Sequence, residues 1–235
     1  MMKTVEELTR EYLPDLSEEM HRKLSVIAER LVEVNQSLNL TALTAPEEIA
    51  LLHFYDSLSL LLTGLFDTEK TVLDVGCGGG FPSLPLAACT PCRVTANDAT
   101  AKKLRFVEET AQAAGIASLF TLCGRAEELG REKEYREQYD VVVSRGVARL
   151  NILCEWCLPF CAVGGSFVAM KGRNGKEELV EAENAIRVLG GELAEVREVP
   201  IPIFDRAHTL IVIKKTAPTD GAYPRSNGRI QKKPL

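Results

Sequence analysis

The sequence predicts an α/β fold: a seven-stranded, mostly parallel sheet behind an N-terminal helical extension. Three observations predict it. From residue 71 onward, apolar β-branched runs alternate with helix-forming segments, the pattern of parallel strands joined by crossover helices. The first run, Val72-Leu73-Asp74-Val75, breaks into the glycine cluster Gly76-Cys77-Gly78-Gly79-Gly80 and then a helix-forming stretch, which reads as strand, tight turn, helix. The last two strand candidates, 193–199 and 208–215, lie close together, as they would if the final strand inserted antiparallel. We divide the chain into a helical extension packed on the core (1–66), a nucleotide-binding core (67–216) and a basic C-terminal tail (217–235).

The elements follow in order. Thr4 and Glu7 make a capping box for a short helix over 4–13, which Pro14 stops. Ser17 caps a longer helix on which Met20, Leu24, Ile27, Leu31 and Val34 form an amphipathic core stripe. Residues 35–41 read as a loop. Pro46 suits the first turn of a third helix carrying Ile49, Leu52, His53, Asp56 and Leu60. Strands are then expected at 71–75, 93–97, 118–122, 139–143, 164–170, 193–199 and 208–215. Helices are expected at 81–89, 101–114, 149–158 and 176–189.

The glycine turn lets a ligand approach the backbone, and the helix behind it offers free N–H groups to an anion, so a nucleotide-like ligand is expected. The spacing Gly76, Gly78, Gly80, with Phe81 at the next position, departs from the dinucleotide fingerprint. Asp74 precedes the first glycine and is placed to hold a cationic amine; Asp98, after the second strand, is placed to accept from a ribose diol. This D-x-G-x-G-x-G pattern with a later acid resembles the S-adenosylmethionine (AdoMet) site of Rossmann-like methyltransferases more than an NAD site.

Ligands in such sheets bind beyond the carboxyl ends of the strands. After the third strand come Gly124-Arg125-Ala126-Glu127, suited to an adenine edge; after the fourth, Ser144-Arg145-Gly146-Val147-Ala148-Arg149; after the fifth, Lys171-Gly172-Arg173. The fourth position has no Asn/Asp-Pro-Pro-aromatic signature for an exocyclic amine and no Pro-Cys nucleophile, because Pro91-Cys92 lies at the wrong end of its strand. Ser144 stands where ribose methylation wants an Asp. The arginines there suit carboxylates, phosphates or a guanine edge.

Composition bounds the remainder. Hydrophobic residues make up 46% and charged residues 26% of 235 residues, ordinary for a globular chain. No apolar run reaches the length of a membrane span, and the start, Met1-Met2-Lys3-Thr4-Val5-Glu6-Glu7, is too polar for an export signal, so a cytoplasmic location is expected. Of seven cysteines, Cys89/Cys92 and Cys154/Cys157 form C-x-x-C pairs. Cys154, Cys157 and Cys161 share one helix face with leucines, which reads as core packing rather than a metal site. Net charge is −5, yet the stretch from Lys214 to Leu235 carries six cations against one anion. That stretch is a candidate RNA arm or a solvated terminus.

Several motifs then occur in a specific order: Asn39-Leu40-Thr41-Ala42, His53-x-x-Asp56-Ser57-Leu58, Asp74-Val75-Gly76-x-Gly78-x-Gly80-Phe81-Pro82, Arg125-Ala126-Glu127, Ser144-Arg145-x-x-Ala148, Lys171-Gly172, and the terminus Tyr223-Pro224-Arg225 with Lys232-Lys233-Pro234-Leu235. On these, nearly the whole chain resembles the small-subunit ribosomal RNA guanine-N7 methyltransferases, also called glucose-inhibited division protein B. The resemblance implies methyl transfer from AdoMet to N7 of one guanosine in the 530 loop of 16S rRNA (position 527 in standard rRNA numbering). It also implies AdoMet contacts by Gly76, Phe81, Ala126, Glu127 and Arg145. Small residues differ from the family's usual ones at Cys77, Gly79, Ser83 and Gly146. Asn97 is more polar than the family pattern and puts the packing of its strand end in question.

Guanine N7 already carries a lone pair and loses no proton, so the expected mechanism has no essential general base, and alignment does most of the work. Arg145 would serve the methionine carboxylate or the RNA. His53 and Asp56, on one helix face, would border the pocket or, the simpler reading, tie the helices to the sheet. Arg149, Lys171, Arg173, Tyr223, Arg225, Lys232 and Lys233 are the candidate contacts to 16S rRNA or the 30S subunit. The rivals are a methyltransferase for a small molecule or a protein, and a non-catalytic nucleotide-binding module.

Overall fold

The computed structural model describes residues 3–235; Met1 and Met2, at the head of the expected extension, lie outside the described residues. Seven strands form one sheet: β1 Thr71–Val75, β2 Arg93–Asp98, β3 Leu119–Cys123, β4 Tyr139–Arg145, β5 Cys161–Lys171, β6 Gly191–Pro200 and β7 Ala207–Lys215. Their order is β3-β2-β1-β4-β5-β7-β6. β1 pairs in parallel with both β2 and β4, so the chain reverses its direction of travel across the sheet there. β7 inserts antiparallel between β5 and β6. In an open parallel sheet the crevice for a ligand lies outside the strand ends at that reversal.

Both faces of the central strands are apolar, which explains their near-continuous hydrophobic runs. Side chains alternate with period two. Val72, Val94, Val141, Val143 and Val168 face one core cluster; Leu73, Val75, Val142, Phe167 and Ala169 face the other. The first cluster is completed by the N-terminal helices. Leu24, Ile27 and Leu31, on the helix Glu18–Leu38, are 0, 0 and 1% exposed. At about 1.5–3 kcal/mol for each fully buried aliphatic side chain, this stripe fastens the extension to the sheet.

Four boundaries differ from expectation. The expected loop at 35–41 is helical to Leu38 and closes on Asn39 in the left-handed region (φ 49°). Asn35 makes this possible: its side chain accepts from Thr41 N and donates to Thr41 O, both at 2.9 Å. The third helix changes pitch along its length. It is α-helical at Pro46–Glu48, π-helical at Ile49–Tyr55, α-helical again at Asp56–Leu58 and 3₁₀ at Ser59–Thr63. The helix Leu150–Cys157 stops before a short 3₁₀ turn containing Pro159, so Cys161 begins β5 instead of extending the helix face. Cys154, Cys157 and Cys161 are nevertheless all buried in the second core cluster.

The fourth difference is the tail, which is neither an arm nor a solvated terminus. Glu155, fully buried on the helix Leu150–Cys157, accepts from Arg225 N at 2.7 Å and pairs with its guanidinium at 2.6 Å. Arg136 donates to Thr219 O (2.7 Å) and Tyr223 O (2.9 Å). Lys215, fully buried at the end of β7, donates to Leu158 O and Leu189 O, each at 3.0 Å, and bonds Thr219 Oγ1. The chain ends in the helix Asn227–Lys232, whose Ile230 is fully buried. Among the described residues no helix is long and apolar enough to cross a membrane.

Candidate functional site

β1 runs straight into the glycine turn. Gly76 N and Cys77 N both donate to Asn97 O, at 2.9 and 2.8 Å, which pins the turn to the end of β2. Gly76 has φ +76°, and a Cβ there would lie 2.6 Å from Val147 Cγ2, so only glycine fits between β1 and the loop after β4. Gly80, at φ +86°, is equally constrained by Leu84. Asn97 fits its strand end well: buried, it donates through Nδ2 to Leu122 O (2.9 Å) and Gly124 O (3.0 Å), stitching β2 to the turn after β3. A polar residue there satisfies two carbonyls that an apolar one would orphan.

Two compartments open over these strand ends and meet at Gly76, Asp98 and Val147. One, of about 340 Å³, is lined by Thr41, His53, Gly78, Phe81, Lys103 and Arg145 among others. The other, of about 200 Å³, is lined by Asn97, Gly124 to Glu127, Trp156 and Asn227. Asp98 accepts from Gly78 N (3.1 Å) and Thr100 N (2.8 Å), so it shapes the turn and still faces both compartments with lone pairs to spare.

Asp74 sits differently from expectation. It is fully buried beneath the turn and lines neither compartment. Its Oδ2 accepts from Ser83 N at 3.1 Å and from the Ser83 hydroxyl; its Oδ1 is buried with no partner among the described residues. Burial pushes its pKa up to about 6, against the Ser83 hydrogen bond. Ser83 thus supplies the one hydroxyl this carboxylate uses.

Arg145, at the end of β4, organises the opposite wall. Its Nη1 donates to Leu52 O (2.8 Å) and Asp56 Oδ2 (2.7 Å), and its Nη2 donates to His53 Nδ1 (3.2 Å). The π-helical turn makes the first of these bonds available. Asp56 N donates to Leu51 O and His53 O, which leaves the Leu52 carbonyl free for the guanidinium. Because arginine only donates, His53 Nδ1 must accept, and its proton resides on Nε2, 3.0 Å from Thr41 Oγ1. Burial, reinforced by Arg145, drives the His53 pKa down to about 3, so the ring stays neutral. The ring stacks on Phe81 with centroids 4.3 Å apart, and Arg145 lies over the same Phe81, 5.6 Å from its centroid.

Asp56 is 0% exposed and bridges Arg145 to His208 of β7. Burial opposes its charge, but the His208 hydrogen bond and the Arg145 guanidinium outweigh burial and hold the carboxyl below the usual range. His53 and Asp56 therefore tie the helices to the sheet, and His53 also borders the pocket. Arg145 is committed to this network. Sequence reasoning misses His208, which lies in a strand far along the chain from Asp56, and misses the Leu52 carbonyl, which no side-chain motif can reveal.

The candidate RNA contacts divide. Arg173, Lys232 and Lys233 are exposed. Arg149 is exposed and pairs with Glu181. Lys171 is a correction: buried, it donates to Ala148 O and pairs with Glu178, both at 2.7 Å, and so closes the loop after β4 internally. Arg225 is likewise committed to Glu155, and Tyr223 packs against the second core cluster.

The fold class is that of known methyltransferases. A ribosomal protein L11 methylase from Lactobacillus delbrueckii subsp. bulgaricus superposes with a TM-score of 0.53 over 70% of this chain and 79% of its own, at 16% identity. In sequence the likeness is far closer. The ribosomal RNA small subunit methyltransferase G of Alkaliphilus metalliredigens is 45% identical over 206 residues, 87% of this chain and 86% of that protein. That of Lactobacillus johnsonii is 42% identical over 224 residues, 94% of each. The family described as rRNA small subunit methyltransferase G matches residues 20–206, a span that takes in the glycine turn, Asp98, Ala126-Glu127 and most of the Arg145 network. The chain belongs to the rRNA small subunit methyltransferase G family.

Proposed function

We propose that this chain transfers a methyl group from AdoMet to N7 of a guanosine in the 530 loop of 16S rRNA, in the cytoplasm. Family membership supports the RNA substrate. The observation that carries the choice of N7 is the state of His53. It is the histidine at the cleft wall, and both its ring nitrogens are occupied, by Arg145 and Thr41. A neutral ring with no lone pair to offer is no proton acceptor, and N7 needs none.

The residues present fit the cofactor. The backbone of Gly76 to Gly80 would cradle its amino-acid end, and Asp74, beneath the turn with a partnerless Oδ1, would act as the counter-charge for an ammonium across the turn rather than by direct contact. Asp98 would accept from a ribose diol and Ala126-Glu127 would face the base; that all three line one compartment supports this reading. AdoMet, when bound, supplies an electrophilic methyl group on a sulfonium. The protein's part is then positional. Phe81, packed against both His53 and Arg145, gives the cleft a rigid wall, and alignment of this kind is worth up to about 7–11 kcal/mol in well-oriented systems. Arg149, Arg173, Lys232 and Lys233 would meet phosphates, making RNA binding salt-sensitive.

The test is where the methyl group resides. 16S rRNA lacking the modification is incubated with enzyme and AdoMet, then reduced and treated with aniline, which cleaves the strand at N7-methylguanosine. Cleavage at one guanosine in the 530 loop is expected. Methylation without cleavage, or cleavage elsewhere, would overturn the assignment.

A further inference from the structure

The compartment assigned above to the base has a wall that no family motif supplies. Trp156, from the helix Leu150–Cys157, and Asn227, from the C-terminal helix, line it together with Gly124 to Glu127. Asn227 lies beyond the residues that the family description matches. Its segment is nonetheless fixed. The buried Glu155–Arg225 pair holds it two residues away, Arg131 donates to Ala222 O at 3.0 Å, and Ile230 is fully buried behind it. A mobile arm would need none of these.

Two polar atoms on this wall are out of place. Trp156 Nε1 and Asn227 Oδ1 are both buried, and neither has a hydrogen-bond partner among the described residues. A buried polar atom left without a partner is costly, so a pair at one cavity calls for an explanation. One is a donor and the other an acceptor. The edge of adenine presents the complement: an exocyclic N–H donor beside ring nitrogens that accept.

We propose that Trp156 and Asn227 recognise the adenine of the cofactor, which makes the C-terminal segment part of the cofactor site rather than an RNA arm. The proposal rests on the AdoMet reading above. The indole N–H pairs with a ring nitrogen, and the amide oxygen accepts from the exocyclic amine.

Binding of the product analogue tests this without catalysis. S-adenosylhomocysteine and S-inosylhomocysteine are titrated calorimetrically into the full chain; the inosyl compound replaces the exocyclic donor by a carbonyl and the adjacent ring acceptor by an N–H. The wild type is expected to prefer the adenosyl compound at least tenfold. Asn227→Ala and Trp156→Phe are expected to weaken the adenosyl compound about tenfold and leave the inosyl one within twofold, so the preference collapses. Trp156 is the single tryptophan of the chain, so unmodified protein gives a second readout: its fluorescence should change on saturation with S-adenosylhomocysteine. Wild-type affinity and preference in both variants, or a wild-type fluorescence indifferent to ligand, would overturn the proposal. A wild type that binds neither compound would instead reject the AdoMet reading and this inference with it.

Discussion

Replacing Asp74 by asparagine separates what this carboxylate does for binding from what it does to folding. In the folded chain burial raises its pKa to about 6, well above the ordinary carboxylate range. A raised carboxyl binds its proton more tightly in the folded state, so folding is favoured at low pH and that advantage is lost as pH rises through about 6. With an unfolded value near 3.9, the Asp74 carboxyl costs the folded state about 2 kcal/mol between roughly pH 4.5 and 7.5. The asparagine keeps an acceptor for Ser83 and cannot ionise. Whatever the amide costs in packing is the same at both pH values and cancels. The stability of Asp74→Asn relative to wild type, from urea unfolding at about pH 4.5 and 7.5, should therefore improve by about 2 kcal/mol at the higher pH. The same variant should bind S-adenosylhomocysteine less well at the higher pH, because the counter-charge is gone. A relative stability independent of pH would refute the raised pKa, and unchanged affinity would refute its role beneath the turn.

Other consequences follow from the same geometry. His53 is held neutral, with its pKa lowered to about 3, so stability should fall as pH drops below about 6.5, by up to ~1.4 kcal/mol per pH unit; in the Asp74→Asn background, where the opposing slope is absent, urea titrations should show this directly. Asp56→Ala leaves the Arg145 guanidinium without its buried partner, and a loss of about 3–5 kcal/mol is expected, read as a fall of roughly 6–20 °C in melting temperature. Asn97→Ala orphans the carbonyls of Leu122 and Gly124 and should cost about 1–3 kcal/mol on chemical denaturation. Paired replacement of the exposed Lys232 and Lys233 by alanine should lower the slope of log affinity for RNA against log salt by about 0.7 for each phosphate the lysines neutralise, if single-stranded RNA is bound; an unchanged slope removes them from the interface.

The regular part of the fold is legible in the sequence because periodicity reports burial directly. The seven strands, the crossover helices and the glycine turn all follow from local patterns, and each strand lies within a few residues of its expected span. What stays hidden depends on partners distant in sequence. The Asp56–His208 bond joins the third helix to β7, and the tail is held by Arg136, Lys215 and Glu155, which look like ordinary surface charges when read in sequence. Lys171 and Arg225 read as free cations for the same reason: composition shows charge but not its partner. The π-helical turn leaves no trace in an apolar run such as Ile49-Ala50-Leu51-Leu52, yet it frees the carbonyl that Arg145 uses. At the site itself, the residue types are visible in sequence but their commitments are not. Asp74 lies beneath the turn, and Arg145 is a tie between wall and sheet.

Whether this cleft carries a methyl group from AdoMet to ribosomal RNA is decided by incubating the protein with methyl-labelled AdoMet in three arms: unmodified 30S subunits, naked 16S rRNA, and no RNA. Label should enter the RNA in at least one of the first two arms and nowhere in the third. Transfer to protein or small molecules with the RNA arms blank, or no transfer in either RNA arm although AdoMet binds, would contradict it.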